Sequence, residues 1–260
     1  MSSSTSPTPE RFERTALLYG ADGFARIRAA SVLIVGLGGV GTHAAVALAR
    51  SGVGRLTLID FDEVTASSLN RHPCACPADV GRPKTTVMAD FLRSTCSDTE
   101  IIERQAFFHD DSADDLLTPP PDHVVDAIDS LNPKVALLVA CLDRGLPVVS
   151  SMGAAMHVDA TLVRVADIGS TTGCPLAARV RRLLKRRGFD TGVRCIYSLE
   201  KHPVRPLPPN DDPSYDRGRL RDTLPSSMSI PGVFGFTSAS IVLEKLAAVE
   251  TDPYRPEDLR

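Results

Sequence analysis

A glycine-rich turn is the first stretch whose spacing indicates chemistry. Residues 36–41 read GLGGVG, so Gly36, Gly38 and Gly41 fit the pattern GxGxxG, with Gly39 as an additional glycine. Such a turn brings the backbone close to a phosphate, and the helix that follows offers N–H groups and a positive dipole end. The spacing predicts nucleotide binding, and a tight turn without any ligand is the alternative.

An acidic residue and two cations follow this turn. Asp60 lies 24 residues after Gly36, where a carboxylate can accept hydrogen bonds from ribose hydroxyls. Arg71 lies 11 residues past Asp60, and Lys84 lies 13 past Arg71. NAD needs neither cation, whereas a triphosphate carries about four negative charges that cations must hold. Solvated surface charge is the alternative, but the order of the residues favours ATP. The chain lacks GxxxxGK[ST], so a P-loop would not hold it.

Two carboxylates close a later apolar run. Asp126 and Asp129 lie in VVDAIDS, and carboxylates at the carboxyl ends of parallel strands face the ligand crevice. One of them could hold Mg²⁺ between phosphates. Helix capping or a turn is the alternative for either residue alone.

The elements that must position these residues alternate along the chain. Apolar strand-like runs alternate with helical segments over residues 31–168, which predicts an α/β fold with a doubly wound parallel sheet. Predicted strands cover 31–36, 54–60, 100–106, 122–129, 147–151 and 161–167, and predicted helices cover 40–51, 83–94 and 133–145. Residues 1–30 are expected to form an N-terminal arm and helix, 31–168 the nucleotide-binding domain, and 169–260 an extension. The extension should contain a basic helix at 174–188, a loop at 201–232 and a closing helix at 233–249.

Composition excludes several protein classes. The chain of 260 residues is 43% hydrophobic and 23% charged with a net charge of −3, which is typical of a soluble globular protein and not of a generally basic nucleic-acid binder. We see no run of roughly 18 apolar residues and no apolar signal core at the N-terminus, so we expect a cytoplasmic protein without a membrane span. None of the six cysteines forms a CxxC pair, which argues against a four-thiolate zinc site.

The motifs together resemble a known enzyme superfamily. GLGGVGTHAAVALARSGVGRLTLIDFDEV, LNRH, VGRPK and DAIDS are similar to the E1-like adenylating superfamily, whose Rossmann-like members activate carboxylates as acyl-adenylates. RFERTALLYG, KVALLVACLDRGLPVVSSMGA, CPLAARVRRLLKRR and VRCIYSLE resemble its tRNA threonylcarbamoyladenosine dehydratase branch most. The resemblance covers residues 11–168 closely and extends to about residue 200.

The resemblance implies a site and its partners. Gly36, Gly39 and Gly41 would cradle ATP, Asp60 would bind the ribose, and Asp129 would serve Mg²⁺ and the α-phosphate. Ser67 to Arg71 and Lys84 would hold the phosphates, and Arg14 would reach the site of the partner subunit in a homodimer. The catalytic set is therefore Arg14, Arg71, Lys84 and Asp129, and the nucleotide-binding set is Gly36, Gly38, Gly39, Gly41, Asp60, Asp62, Ser67, Asn70, Arg71, Lys84, Asp129 and Ser130.

The sequence also departs from its relatives. Sulfur-carrier adenylyltransferases of the superfamily usually carry two CxxC pairs, which this chain lacks. Some dehydratases carry a cysteine before the closing helix, where this chain reads TLPSSMSIPGVFGF; a sulfur relay with a cysteine-desulfurase or sulfur-acceptor partner thus loses its expected thiol. Cys141 and Cys195 are interpreted as structural, and Cys74 and Cys76 are placed in a loop after Arg71.

These observations favour ATP-dependent cyclisation of N6-threonylcarbamoyladenosine in tRNA. The cations between Arg179 and Arg187 would follow the tRNA backbone, with a solvated helix face as the alternative. Three other functions stay open: activation of a ubiquitin-like sulfur carrier, a nicotinamide-dependent oxidoreductase, and a nucleotide sensor without catalysis.

Overall fold

A seven-stranded sheet with helices on both faces forms the protein. The computed structural model describes residues 9–201 and 224–248. Its strands are β1 (Ser31–Val35), β2 (Arg55–Asp60), β3 (Glu100–Gln105), β4 (His123–Asp126), β5 (Val148–Ser151), β6 (Val163–Asp167) and β7 (Arg194–Ser198). Its helices are α1 (Glu13–Ala29), α2 (Gly39–Arg50), α3 (Lys84–Thr95), α4 (Ala113–Leu116), α5 (Leu131–Asp143), α6 (Pro175–Arg186) and α7 (Ser229–Ala247).

The strand order is β3-β2-β1-β4-β5-β7-β6, with every pair parallel except β6 and β7. This confirms the predicted Rossmann-like α/β class and each predicted strand. The structure differs at β6, which is antiparallel, because the chain between β5 and β6 contains no α-helix to return it to the starting edge. β7 lies between β5 and β6, so the sheet continues beyond residue 168.

Two apolar layers hold the helices on the sheet. On one face, Ile34 and Leu48 belong to a buried cluster with Val242 of α7. On the other, Leu33 and Leu137 belong to a cluster with Val180 of α6. The alternation of strand side chains between the two faces explains why neighbours in sequence, Leu33 and Ile34, enter different clusters.

Helix α7 begins earlier than the closing helix predicted at 233–249. It starts at Ser229, which places Pro231 in the first helical turn, where proline is tolerated. It therefore takes over the last residues of the loop predicted at 201–232, of which 202–223 lie outside the described residues. By length and composition α7 could span a membrane, contrary to the expectation from the sequence, but most of it is buried inside the protein.

Candidate active site

The glycine turn is packed so tightly that three of its glycines cannot be replaced without a rearrangement; at Gly39 a Cβ atom would lie 2.8 Å from the Cβ of Pro231. A Cβ atom at Gly41 would lie 1.8 Å from the carbonyl oxygen of Gly36, and one at Gly36 would lie 2.7 Å from that of Ala127. Gly36 also has a φ of 94°, which favours glycine. A Cβ at Gly38, in contrast, would meet nothing within 4 Å. The turn therefore opens at Gly38, beside the first turn of α2.

Asp60 fastens this turn to the end of β2. Its Oδ2 accepts a hydrogen bond from the Leu37 N–H at 2.5 Å, and its Oδ1 accepts one from the Asp62 N–H at 2.8 Å. Burial raises the pKa of Asp60, while Lys84 and the Leu37 N–H act in the opposite direction. Each carboxylate oxygen keeps a second lone pair, which can accept a hydrogen bond from a ribose hydroxyl.

Lys84 lies near three carboxylates, two of them at the end of β2 and one after β4. Its Nζ lies 2.7 Å from Oδ2 of Asp62. Burial lowers the pKa of Lys84, but the charges of Asp60, Asp62 and Asp129 outweigh it and raise the pKa above the usual value. Lys84 is therefore a cation at neutral pH. Asp129 is exposed and accepts a hydrogen bond from the Ser130 hydroxyl at 3.1 Å.

Arg71 lies beside the glycine turn. A Cβ at Gly39 would be 3.4 Å from the Arg71 stem, and the Arg71 Nη1 donates to the carbonyl of Ser67 at 2.7 Å. The same Nη1 donates to Oδ1 of Asn70 at 3.1 Å. Asn70 in turn donates to the carbonyl of Ser226, which ties the segment to the chain before α7. The structure thus brings the predicted segment 67–71 to the predicted glycines.

Arg14 is the predicted site residue that the structure leaves apart. It lies exposed in the first turn of α1, and within residues 9–201 and 224–248 it makes no hydrogen bond or ion pair. The next turn exposes two large apolar side chains, with Leu17 at 84% and Leu18 at 74%. The described part of the chain therefore does not bring Arg14 to the predicted site.

Asp126 has a structural role that removes it from the metal candidates. Its Oδ2 lies 2.6 Å from Nζ of Lys134, and both side chains are fully buried. Lys134 also donates to the carbonyl of Ser151 at 2.9 Å. Of the two carboxylates proposed for Mg²⁺, Asp129 remains. Sequence reasoning missed Lys134, although a lysine inside the apolar run KVALLVA is a signal that it pairs with a buried acid.

His72 is a second residue that sequence reasoning passed over. It is 2% exposed, and its Nε2 has no hydrogen-bond partner within the described part of the chain. Burial lowers the pKa of His72 to about 4, helped by the nearby Lys84 and His43 and opposed by Asp79. The imidazole is therefore neutral at physiological pH. Its position directly after Arg71 in LNRH was the available signal.

Five of the six cysteines are buried or half-buried. Cys141 and Cys195 are buried, as interpreted from the sequence, and burial raises the pKa of Cys141 to about 12 and that of Cys195 still further. Burial likewise raises the pKa of the half-buried Cys74 to about 12. Cys76 is exposed. High thiol pKa values are the opposite of what a thioester-forming cysteine needs.

The geometry is that of a nucleotide site, and comparison identifies its family. Residues 12–256 match the ThiF family. The chain belongs to the ThiF family. It is 33% identical to the tRNA threonylcarbamoyladenosine dehydratase of Bacillus subtilis, over 92% of this chain and 96% of that protein. The crystal structure of Escherichia coli tRNA N6-threonylcarbamoyladenosine dehydratase in complex with ATP superposes with a TM-score of 0.81, at 33% identity, covering 92% of this chain and 94% of that one.

Another ThiF-like relative matches over less of the chain. The molybdopterin-synthase adenylyltransferase of Escherichia coli is 36% identical to this ThiF family member, but over 57% of this chain and 59% of that protein. Similarity to the dehydratase thus extends over nearly the whole chain, whereas similarity to the adenylyltransferase covers little more than half of it.

Proposed function

We propose that the protein uses ATP to dehydrate N6-threonylcarbamoyladenosine in tRNA, which closes a ring. The position of Lys84 carries the proposal. Nearby carboxylates keep its ammonium group protonated beside Asp60 and the glycine turn, where a cation can bind the phosphates of ATP. Likeness to dehydratases over nearly the whole chain supports this function over sulfur-carrier activation.

The first step activates the carboxylate of the modified nucleoside. A carboxylate oxygen attacks the α-phosphorus of ATP, a new oxygen–phosphorus bond forms, and the bond to the β-phosphate bridging oxygen breaks. Pyrophosphate leaves and an acyl-adenylate remains. Lys84 and Arg71 neutralise the charge that develops on the phosphates, while Asp60 and the glycine turn hold the nucleoside and phosphate ends in place.

The second step closes the ring. A nitrogen of the same substituent attacks the activated carbonyl carbon, loses its proton, and expels AMP as the carbon–oxygen bond to the phosphate breaks. The net change is the loss of one water. Because both groups belong to one substituent, orientation supplies much of the rate, and no thiol takes part. A cysteine-desulfurase or sulfur-acceptor partner is therefore not required for this chemistry.

Asp129 is the proposed protein ligand for Mg²⁺. Protein magnesium sites that serve nucleotides commonly use one or two carboxylates plus substrate phosphates. Asp129 fits this pattern because it is exposed and is close enough to Lys84 to influence its charge. A bound Mg²⁺ would neutralise phosphate charge. The described residues contain no cluster of three or more His, Cys, Asp or Glu side chains that would form an all-protein metal cage.

Calorimetry separates this function from that of a nicotinamide oxidoreductase. We expect ATP with Mg²⁺ to bind, since Arg71 and Lys84 provide charge that NAD does not need. Tight NAD binding without ATP binding would overturn the proposal. A nucleotide sensor would bind ATP but release no pyrophosphate when modified tRNA is added.

We also propose a homodimer in which Arg14 acts on the partner's nucleotide. Arg14 makes no hydrogen bond or ion pair with the described part of its own chain, and the exposed Leu17 and Leu18 beside it provide an apolar surface for a second copy. Mixing inactive Arg14→Ala and Asp129→Ala chains should restore activity, because one site of each heterodimer regains both residues. Heterodimers that form but stay inactive would show that Arg14 does not act across subunits.

Helix α6 is the proposed binding surface for the tRNA backbone. A tRNA substrate also agrees with the proposed cytoplasmic location. Arg179, Arg182 and Arg186 share one exposed face at helical spacing. Arg181, counted with them from sequence, turns inward and donates to the carbonyl of Thr171 at 2.8 Å. The exposed cations carry the charge that a phosphate backbone would neutralise.

A further inference from the structure

A buried polar network lies at the carboxyl end of β4. Oδ2 of Asp126 accepts hydrogen bonds from Nζ of Lys134 at 2.6 Å and from the hydroxyl of Ser150 at 2.5 Å. Nζ of Lys134 also donates to the carbonyl of Ser151 at 2.9 Å. The side chains of Asp126 and Lys134 are fully buried, and Ser150 is buried with them. Three elements, β4, α5 and β5, therefore meet at one carboxylate oxygen.

The other oxygen of Asp126 shapes the turn that follows β4. Its Oδ1 accepts a hydrogen bond from the N–H of Ile128 at 3.1 Å. An aspartate that bonds the backbone two residues ahead closes an Asx turn around the residue between them. That residue is Ala127, whose own N–H donates to the carbonyl of Val35 at the end of β1 at 2.9 Å. The backbone from Asp126 to Ile128 is thus held in one conformation.

The glycine turn packs directly against this Asx turn. A Cβ atom at Gly36 would lie 2.7 Å from the carbonyl oxygen of Ala127 and 3.1 Å from the nitrogen of Ile128. A Cβ atom at Gly41 would lie 3.3 Å from the Cβ of Ala127. The backbone at Ala127 therefore cannot rotate without moving the glycine turn, because the two backbones leave no room for a methyl group between them.

We infer that Asp126 is a positioning residue for ATP binding, because its Oδ1 sets the distance between the glycine turn and Asp129. Lys134 and Ser150 hold the carboxylate in place through Oδ2. Asp129 directly follows Ile128, so the conformation of the Asx turn decides where Asp129 begins. The inference rests on the proposed function, since it takes the glycine turn and Asp129 as two sides of the phosphate site. Precise placement matters there, because a misplacement of about 1 Å can lower a rate by roughly 100-fold.

Mutation can separate the charge of the buried pair from the hydrogen bond that closes the turn. Asp126→Asn with Lys134→Met removes both charges and keeps a side-chain oxygen that can accept from the Ile128 N–H. Asp126→Leu with Lys134→Met also removes both charges, but it removes that acceptor as well. Neither double variant leaves a buried charge without its partner, and replacing a buried ion pair by neutral side chains often leaves stability unchanged. The Asn-containing double variant is therefore the matched control for the Leu-containing one.

Three measurements are made on each variant. Calorimetry gives the affinity for ATP with Mg²⁺ and for ATP in the presence of EDTA. Urea unfolding gives the stability. Initial rates with modified tRNA give the KM for ATP and the KM for tRNA separately.

We expect the Leu-containing double variant to bind ATP with Mg²⁺ roughly 2- to 10-fold more weakly than the Asn-containing one, the range for one lost hydrogen bond. The difference should be smaller in EDTA, because the proposed metal contact of Asp129 is then absent from both. The KM for ATP should rise while the KM for tRNA stays the same. Ser150→Ala, which removes one bond to Oδ2 of Asp126, should weaken ATP binding in the same direction but less.

Equal ATP affinity in the two double variants would overturn the inference, because the turn hydrogen bond would then have no effect on binding. A loss of ATP affinity that follows the loss of stability in both, with both KM values raised equally, would leave the pair a structural role only. If the Leu-containing variant does not fold, Ser150→Ala decides, and wild-type ATP affinity in it contradicts the inference. If the wild-type protein binds ATP but does not convert tRNA, the proposed function fails while the positioning role of Asp126 still stands.

Discussion

Charged side chains are paired in the nucleotide site, whereas arginines on the surface of α6 are exposed and unpaired within the described ranges. In the site, Lys84 is paired with Asp62, and Asp60 is fixed by two backbone N–H groups before any ligand binds. On α6, Arg182 and Arg186 are exposed and have no ion-pair partner within the described ranges. The first region is prepared for one small ligand, and the second has charge free for a larger one.

This difference predicts how each region responds to the loss of a charged side chain. A buried, paired charge leaves an uncompensated partner when it is removed, so its loss affects folding or nucleotide binding strongly. An exposed charge is hydrated without its ligand, so its loss affects little besides binding and salt dependence. The following predictions test this contrast.

The greatest loss of stability should follow from breaking the buried pair of Lys134 and Asp126. Lys134→Met should lower the free energy of unfolding by about 3–5 kcal/mol, because it leaves Asp126 charged and buried. Arg82→Ala, which removes a solvent-accessible cation paired with Asp79 and Asp90, should lower the free energy of unfolding far less. Urea unfolding measures both. Similar losses in the two variants would contradict the contrast.

The second effect is a pH dependence caused by His72. Burial keeps its folded-state pKa at about 4, below the unfolded value of 6.5. As pH falls below 6.5 the unfolded chain takes up the proton first, so stability is full above that pH and is lost on the way to 4, by roughly 3 kcal/mol. The urea midpoint should depend less on pH across this range in His72→Gln than in the wild type. Some slope should remain, because burial also lowers the pKa of His123 to about 4. An unchanged pH profile in the variant would contradict this assignment.

The third effect is on nucleotide affinity. Lys84→Ala should weaken ATP binding by about 1.5–3 kcal/mol, since it removes a hydrogen bond to a charged phosphate. Lys185→Ala is the control, because it removes an exposed lysine of α6 that lies 3.7 Å from Asp190. Calorimetry should show normal ATP binding for the control. Unchanged affinity and rate in Lys84→Ala would rule out its phosphate role.

Variants of the exposed arginines of α6 should change tRNA binding without changing the stability of the protein. Reversing Arg182 and Arg186 to Glu should weaken tRNA binding and reduce its log–log salt slope by roughly 0.7–0.9 for each phosphate that the variant no longer neutralises. ATP binding and stability should not change. The control replaces Arg55 and Arg164 by Glu, which changes the net charge by the same amount on strands β2 and β6. This control should leave the log–log salt slope of tRNA binding unchanged. Wild-type affinity and slope in the Arg182/Arg186 variant would mean that α6 is a solvated face.

The sequence predicted what local patterns determine. Apolar runs located the strands from β1 to β6, and GLGGVG with Asp60 located the nucleotide turn, because period and spacing are local properties. Lys134 and His72 were missed because their roles arise from burial by segments distant in sequence. The antiparallel direction of β6 was missed because it depends on β7 entering the sheet later. The roles of Arg14, Arg71, Lys84 and Asp129 stay predictions until the variants are measured.

Mass spectrometry of the tRNA nucleosides detects the proposed dehydration itself. Modified tRNA is incubated with the protein, ATP and Mg²⁺, then digested and analysed. We expect the N6-threonylcarbamoyladenosine signal to be replaced by a product lighter by one water, with AMP and pyrophosphate formed in equal amounts. Unchanged nucleoside, or consumption of ATP to ADP and phosphate, would contradict the proposed dehydration through an acyl-adenylate.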